Sequence, residues 1–165
     1  MTSDVSKEAL EAGRGYEALF VPSLFEPWTH HLIAGAGIDT GSSVLDVACG
    51  SGVLARHALT RTGSSGKVTG VDPAPGMIAA AKEVEPDIDW VLGSAEDLEF
   101  EDSTFDAVVC QFGMMFFQDR PKAADEMFRV MKPGAGLAIA ERLLLLSSHV
   151  PPAPRQFPHK QDCSR

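Results

Sequence analysis

Several marks of specialised protein classes are missing from this chain. Its 165 residues hold three cysteines, Cys49, Cys110 and Cys163, far apart and odd in number, with no CxxC pair and no Cys/His cluster. A zinc site or a disulfide framework has no support, and reduced thiols inside a cell are the simplest reading. Long apolar runs are also missing. The longest, from Gly134 to Leu146, is interrupted by Glu141 and Arg142, and it falls far short of the ~20 residues that span a bilayer. The polar start MTSDVSKEALEAG carries no apolar signal segment. A cytoplasmic protein without a membrane span is expected. Basic residues are scarce, 14 against 23 acidic, for a net charge of −9. Such a domain has no electrostatic reason to hold a nucleic acid or an anionic lipid surface, so its ligands should be small and neutral or cationic. What is present is ordinary: 44% apolar, 22% charged and 7% aromatic residues, in a length that suits one domain with a real core.

The middle of the chain alternates short apolar runs with helical patterns. Strands are predicted at 44–48, 67–71, 88–92, 105–112 and 137–141. Helices are predicted at 53–62, 75–84 and 121–131, the last with Ala124, Met127, Phe128 and Met131 at i, i+3, i+4, i+7 and with Lys132-Pro133-Gly134 as its stop. Strands that are apolar on both faces and alternate with helices imply an α/β fold, a doubly wound, mostly parallel sheet of about five strands. Residues 16–33 read as helical or irregular, broken by Pro22 and Pro27. Three segments result: an N-terminal tail and helical cap (1–37), a Rossmann-like domain (38–146) and a tail (147–165). In the tail Pro151, Pro152, Pro154 and Pro158 fall within eight residues, which forbids helix and central strand, so disorder is expected. The tail carries a surplus of +2, which leaves −11 on the first 146 residues.

The motif that carries most information is VLDVACGSGVLA, residues 44–55. Its glycines follow a strand and open a helix in the spacing G-x-G-x-x-A. Gly50 permits a tight turn, Gly52 lets a ligand approach the backbone, and Ala55 permits close helix–strand packing. An acid, Asp72, closes the next strand 20 residues after Gly52, the distance at which an acid meets the ribose hydroxyls of an adenosine cofactor. The bland alternative is a turn in a core βα unit. Asp46 narrows the cofactor. A carboxylate four residues before Gly50 would repel a pyrophosphate, but it suits an ammonium. S-adenosylmethionine offers an ammonium and a sulfonium and no phosphate. A capping role for Asp46 stays open.

On these residues the stretch from Val44 to Glu141 resembles the class I S-adenosylmethionine-dependent methyltransferases, in the branch that contains the ubiquinone/menaquinone C-methyltransferases, also called methyltransferase type 11. VLDVACGSG matches the first motif, VTGVDPAPGMI the second, GSAEDLEFEDSTFDAVVCQFGMMFF the run from strand three through strand four, and MFRVMKPGAGLAIAE the helix, turn and fifth strand. YEALFVPSLFEPW resembles the cap of some members. The resemblance implies roles. Asp46, Ala48 and the backbone of Gly50 and Gly52 would hold the methionine moiety. Asp72 would take the ribose hydroxyls, with Pro73 and Met77 near the adenine. Ala95 and Glu96 would approach the adenine amine, with Asp97 as the alternative. Gln111 would face the methionine end and the transferring methyl, and Tyr16 would close over the cofactor from the cap.

No residue is marked as a general base, and His30 and His31 are only weak candidates. Met114, Met115, Phe116 and Phe117 read as core or cap packing, or as the wall of an apolar acceptor pocket. Of the six acids among residues 96–106, most read as a solvated loop. The implied activity is methyl transfer to a small-molecule acceptor. A catalytically idle binder of S-adenosylmethionine and an NAD-dependent oxidoreductase are the alternatives. The family fold continues after strand five with a helix and two more strands, the last antiparallel. Here ERLLLLSSHVPPAPRQ departs from that pattern, so a C-terminal truncation is expected. Strand five would then be an exposed edge, open to self-association.

Overall fold

The computed structural model describes residues 5–141 and the backbone of residues 144–149. Helix α1 (Lys7–Leu19) opens on Ser6, whose side chain accepts from the Ala9 amide at 3.2 Å. Pro22 and Pro27 each sit in the first positions of a short turn, the π-helical Val21–Phe25 and the 3₁₀ turn Glu26–Trp28, where a missing N–H costs little. Helix α2 (Thr29–Gly35) completes the cap. Then follow β1 (Ser43–Val47), α3 (Val53–Thr62), β2 (Lys67–Asp72), α4 (Pro75–Val84), β3 (Asp89–Leu92), β4 (Phe105–Gln111), α5 (Arg120–Val130), β5 (Met131–Glu141) and β6 (Leu144–His149).

The strands form one sheet in the order β3-β2-β1-β4-β5-β6. The first five are parallel, as expected for a doubly wound sheet. Both faces are buried. Val44, Leu54, Ala58, Ile78 and Trp90 belong to a core beneath α2, α3 and α4. Leu45, Val47, Val108, Met127 and Val130 belong to a second core beneath α5. No helix joins β3 to β4. The loop over 93–104 covers the sheet instead, anchored by Arg129, which donates to the Leu98 and Phe100 carbonyls and pairs with Glu126 and Asp102. The order runs outward from β1 to β3 and then jumps back to β4. The carboxyl ends of β1 and β4 therefore flank the switch point, where open α/β sheets bind ligands.

Two expectations change at the C-terminal side. Helix α5 ends at Val130 and β5 begins at Met131, so Lys132-Pro133-Gly134 lies inside the strand with a register shift opposite Phe105–Ala107. Strand five is also not the open edge that was expected. β6 pairs antiparallel along it, from Glu141↔Leu144 to Gly136↔His149. Two residues join these strands, which suffices for an antiparallel hairpin and not for a parallel crossover. This removes the basis for self-association through the edge of strand five. β6 reaches three residues past the expected boundary at Ser147, and the Pro-rich residues 150–165, with Cys163, lie outside the described residues. No helix among the described residues is long and apolar enough to cross a membrane.

Candidate functional site

At the switch point the backbone makes two abrupt turns. Ala48 (φ +57°) and Gly50 (φ +56°) both adopt the left-handed region immediately after β1. Left-handed backbone is strained at alanine and natural at glycine. The turn is tied to β2, because Asp72 Oδ2 accepts from the Gly50 amide at 2.9 Å while Oδ1 accepts from Ala74 at 2.9 Å, at the start of α4. Burial pushes the Asp72 carboxyl above its ordinary range, against the pull of those two amides.

A cavity of about 710 Å³ opens over this turn. Of the residues singled out in the sequence, it brings together Tyr16, Ala48, Gly50, Asp72, Pro73, Met77, Ala95, Glu96 and Gln111. Asp46 lies behind them, 1% exposed, on the wall of an adjoining recess of about 20 Å³ shared with Tyr16, Phe25, Gly50, Ser51 and Gln111. Asp46 Oδ2, Ser51 Oγ and Gln111 Oε1 are buried there with no hydrogen-bond partner. Burial is the main force that pushes Asp46 up to about 8. Asp72 adds to it, and the Ala55 amide and Arg56 oppose it.

Gly52 and Asp97 are outside both linings. At Gly52 (φ +91°) an added Cβ would lie 2.2 Å from the Trp90 ring, so the close approach that needs glycine there is made by a core side chain. Asp97 is turned into a bridge with Ser94. Glu96 lines the cavity but is already engaged. It accepts from the Ser94 hydroxyl and, at 2.9 Å, from the Gln118 amide. These bonds, that of Ser94 first, hold its carboxyl below the ordinary range.

The cap closes one side. The Tyr16 ring lies 3.6 Å from where a Gly50 Cβ would stand and stacks on Phe25 at 5.3 Å. Burial, and then Asp72, push the Tyr16 phenol up to about 12, so it is neutral at physiological pH. The His30 and His31 rings meet at 3.8 Å, tilted by 39°, but neither lines the cavity.

Sequence reasoning missed Ser94, Phe112, Gln118 and Lys122 on the cavity wall. They follow strands three and four without a motif of their own. The open question over residues 114–117 divides. Phe116, 78% exposed, lines the cavity, Met114 packs on the core beneath α5, and Phe117 does both. Among the described residues no three His, Cys, Asp or Glu side chains are grouped to hold a metal ion.

A family model described as a methyltransferase domain matches residues 44–134. The 2-phytyl-1,4-naphtoquinone methyltransferase of Nostoc sp. is 37% identical over 120 residues, 69% of this chain and 52% of that protein. The ubiquinone/menaquinone biosynthesis C-methyltransferase UbiE of Hydrogenovibrio crunogenus is 33% identical over 120 residues, 69% of this chain and 47% of its own length. The chain thus spans about half the length of the curated relatives it matches. Among solved structures, a SAM dependent methyltransferase from Aquifex aeolicus superposes with a TM-score of 0.69 at 25% identity, over 85% of this chain and 78% of that one. An S-adenosyl-L-methionine-dependent methyltransferase fold from Methanococcus maripaludis gives 0.68 at 20% identity, over 86% and 67%.

Proposed function

Because this chain belongs to the methyltransferase-domain family, we propose that its cavity holds S-adenosylmethionine and that it transfers the methyl group to a small-molecule acceptor. The observation that carries this reading is the buried Asp46 Oδ2, without a partner, behind the glycine turn. A buried carboxyl oxygen without a partner calls for a donor; a cation there would hold the group ionised, and a pyrophosphate in the same place would meet repulsion. That favours an ammonium-bearing cofactor over NAD.

When bound, S-adenosylmethionine supplies an electrophilic methyl on a sulfonium, so the protein's task is binding, orientation and exclusion of water. Asp46, with the backbone of Ala48 and Gly50, would receive the amino-acid end. Asp72 would meet the ribose hydroxyls with oxygens that already hold two amides, and Pro73, Met77 and Ala95 would flank the adenine. Glu96 would reach the adenine amine only by sharing oxygens now engaged with Ser94 and Gln118. The rings of Tyr16, Phe112 and Phe117 would keep water out. A phenol pushed up to about 12 makes Tyr16 a cover and a hydrogen-bond donor rather than a base. The apolar wall of Phe112, Phe116 and Phe117 suits a flat apolar acceptor, in line with the quinones named for the relatives. An intracellular setting fits the acidic, cysteine-poor composition.

Calorimetric titration tests the reading. S-adenosylhomocysteine should bind and NAD should not, and binding of NAD alone would overturn it. Asp72→Ala should weaken S-adenosylhomocysteine by about ten- to a hundredfold, the net loss of one hydrogen bond to a charged acceptor. Methyl release over a panel of acceptors then separates an enzyme from an idle binder.

A further inference from the structure

The side-chain amide of Gln111, the last residue of β4, is divided between two environments. Its Nε2 donates to the carbonyl oxygen of Phe25 at 2.7 Å, across 86 residues of chain. Its Oε1 is buried without a partner on the recess that also holds Asp46 Oδ2 and Ser51 Oγ. Phe112, the next residue, stands at φ +57°, a conformation that costs a bulky side chain on the order of 1–3 kcal/mol. Its ring sits between Phe25 at 5.8 Å and Trp28, edge-on, at 6.0 Å. Contacts with the cap therefore offset backbone strain on the sheet side.

The recess is small for a site faced by three oxygens without partners. About 20 Å³ admits roughly one water-sized group. An ammonium is of that size, so it fills the recess with the cap down over Gln111 and Phe112. The segment that lies over them is Val21–Phe25, a π-helical turn, a rare geometry that recurs at functional sites. Leu24 within it is 53% exposed, and Phe20 and Trp28 on either side are 46% and 43% exposed, so the cap is not sealed by packing from outside.

We propose that Gln111 is a positioning residue that couples filling of the recess to closure of the cap: its Nε2 holds the Phe25 carbonyl while its Oε1 receives a donor from the bound ligand. This rests on the reading of the cavity as an S-adenosylmethionine site. The donor is the ligand's ammonium, which also pairs with Asp46. Phe112 is the second half of the latch, since lifting the cap leaves its strain without compensation. The cap therefore has two discrete positions rather than a continuous range.

Hydrogen exchange on the full chain, with S-adenosylhomocysteine as probe, reads the coupling directly. In the wild-type protein the probe should slow exchange of the 21–29 amides by about tenfold, a coupling of ordinary size. In Gln111→Leu those amides should exchange faster without ligand, and the probe should no longer slow them, while β1, β2 and β5 exchange as before. A merely structural role would speed exchange throughout the sheet. Phe112→Gly, which removes both ring and strain, should also free the cap. If Gln111→Leu does not fold, Gln111→Asn, which keeps both amide atoms but withdraws them by one carbon, carries the same expectation. Cap exchange that responds to the probe in a Gln111 variant as in the wild type overturns the latch alone. Failure of the wild-type protein to bind the probe by calorimetry overturns the reading of the cavity and the coupling with it.

Discussion

Asp46 sits in an apolar strand, 1% exposed, with its carboxyl pushed up to about 8 by burial. The unfolded chain ionises the same group near pH ~3.9. A carboxyl raised on folding contributes stability that is full below the unfolded value and is lost as pH rises through the folded one. The wild-type protein should therefore lose stability between about pH 4 and pH 8, by at most about 1.4 kcal/mol per pH unit from this group. Asp72, also raised, adds a decline of the same sign. Asp46→Asn imitates the protonated carboxyl and should flatten the Asp46 part, so its advantage in melting temperature should grow towards pH 8. Melting curves that run parallel from pH 4 to pH 8 would show that Asp46 does not govern the decline. Asp46 and Asp72 were legible as candidates because each is an acid at the carboxyl end of an apolar strand, Asp46 next to last in β1 and Asp72 last in β2. Gln111 was legible as a candidate, and it lines the cavity, but its bond to Phe25 was not legible, since 86 residues separate the partners. Glu96 was legible by position, whereas its engagement with Gln118 depends on where the loop after β4 returns.

At the level of elements, α1 holds Tyr16 over the turn by a close approach to α4. A Cβ added at Gly13 would stand 2.4 Å from the Gly76 oxygen, and one at Gly76 would stand 2.2 Å from the Ala9 oxygen. Both obstacles are backbone, which cannot swing aside as a side chain does. Gly76→Ala should therefore destabilise the protein and draw Tyr16 away from Gly50, although alanine is the better helix former by about 1 kcal/mol. Gly15, in the same α1, has nothing within 4 Å of an added Cβ, so Gly15→Ala should stabilise by up to about 1 kcal/mol. Thermal melts of the two variants should move in opposite directions, and a shared direction would refute the packing argument. The parallel strands and α3, α4 and α5 were legible because each buries a periodic apolar face. α1 was not, because its docking relies on small residues that leave little hydrophobic pattern. β6 was not legible either. Its pairing is set by the two-residue separation from β5, while the Pro-rich sequence beyond it pointed to disorder.

For the molecule as a whole, one sheet supports both the site and its own edge. β5, eleven residues long, pairs with β4 on one side and with β6 on the other. From Ala135 to Ala140 β5 carries no charge, and Leu137, Ala138 and Ala140 are buried. A long uncharged strand with free N–H and C=O groups is a template for pairing with another chain. β6, six residues long, replaces that edge with a shorter one, a common way to blunt it. The consequence reaches the site, because Phe112 donates its amide to Ala140 on β5 at 2.7 Å, and Phe112 and Gln111 meet the cap. A chain ending at Glu141 should therefore melt at a lower temperature and self-associate with rising concentration in analytical ultracentrifugation. It should also exchange the 21–29 amides faster than the full chain, because the support of Phe112 is weakened. The shortened chain loses Arg142, Arg155, Lys160 and Arg165 against Asp162, so its net charge is −12 where the full chain has −9; that charge opposes association at low salt and is screened at high salt. Association of the shortened chain should therefore strengthen as salt is added. A shortened chain that stays monomeric at every salt concentration would show that β6 contributes pairing energy but no protection of the edge.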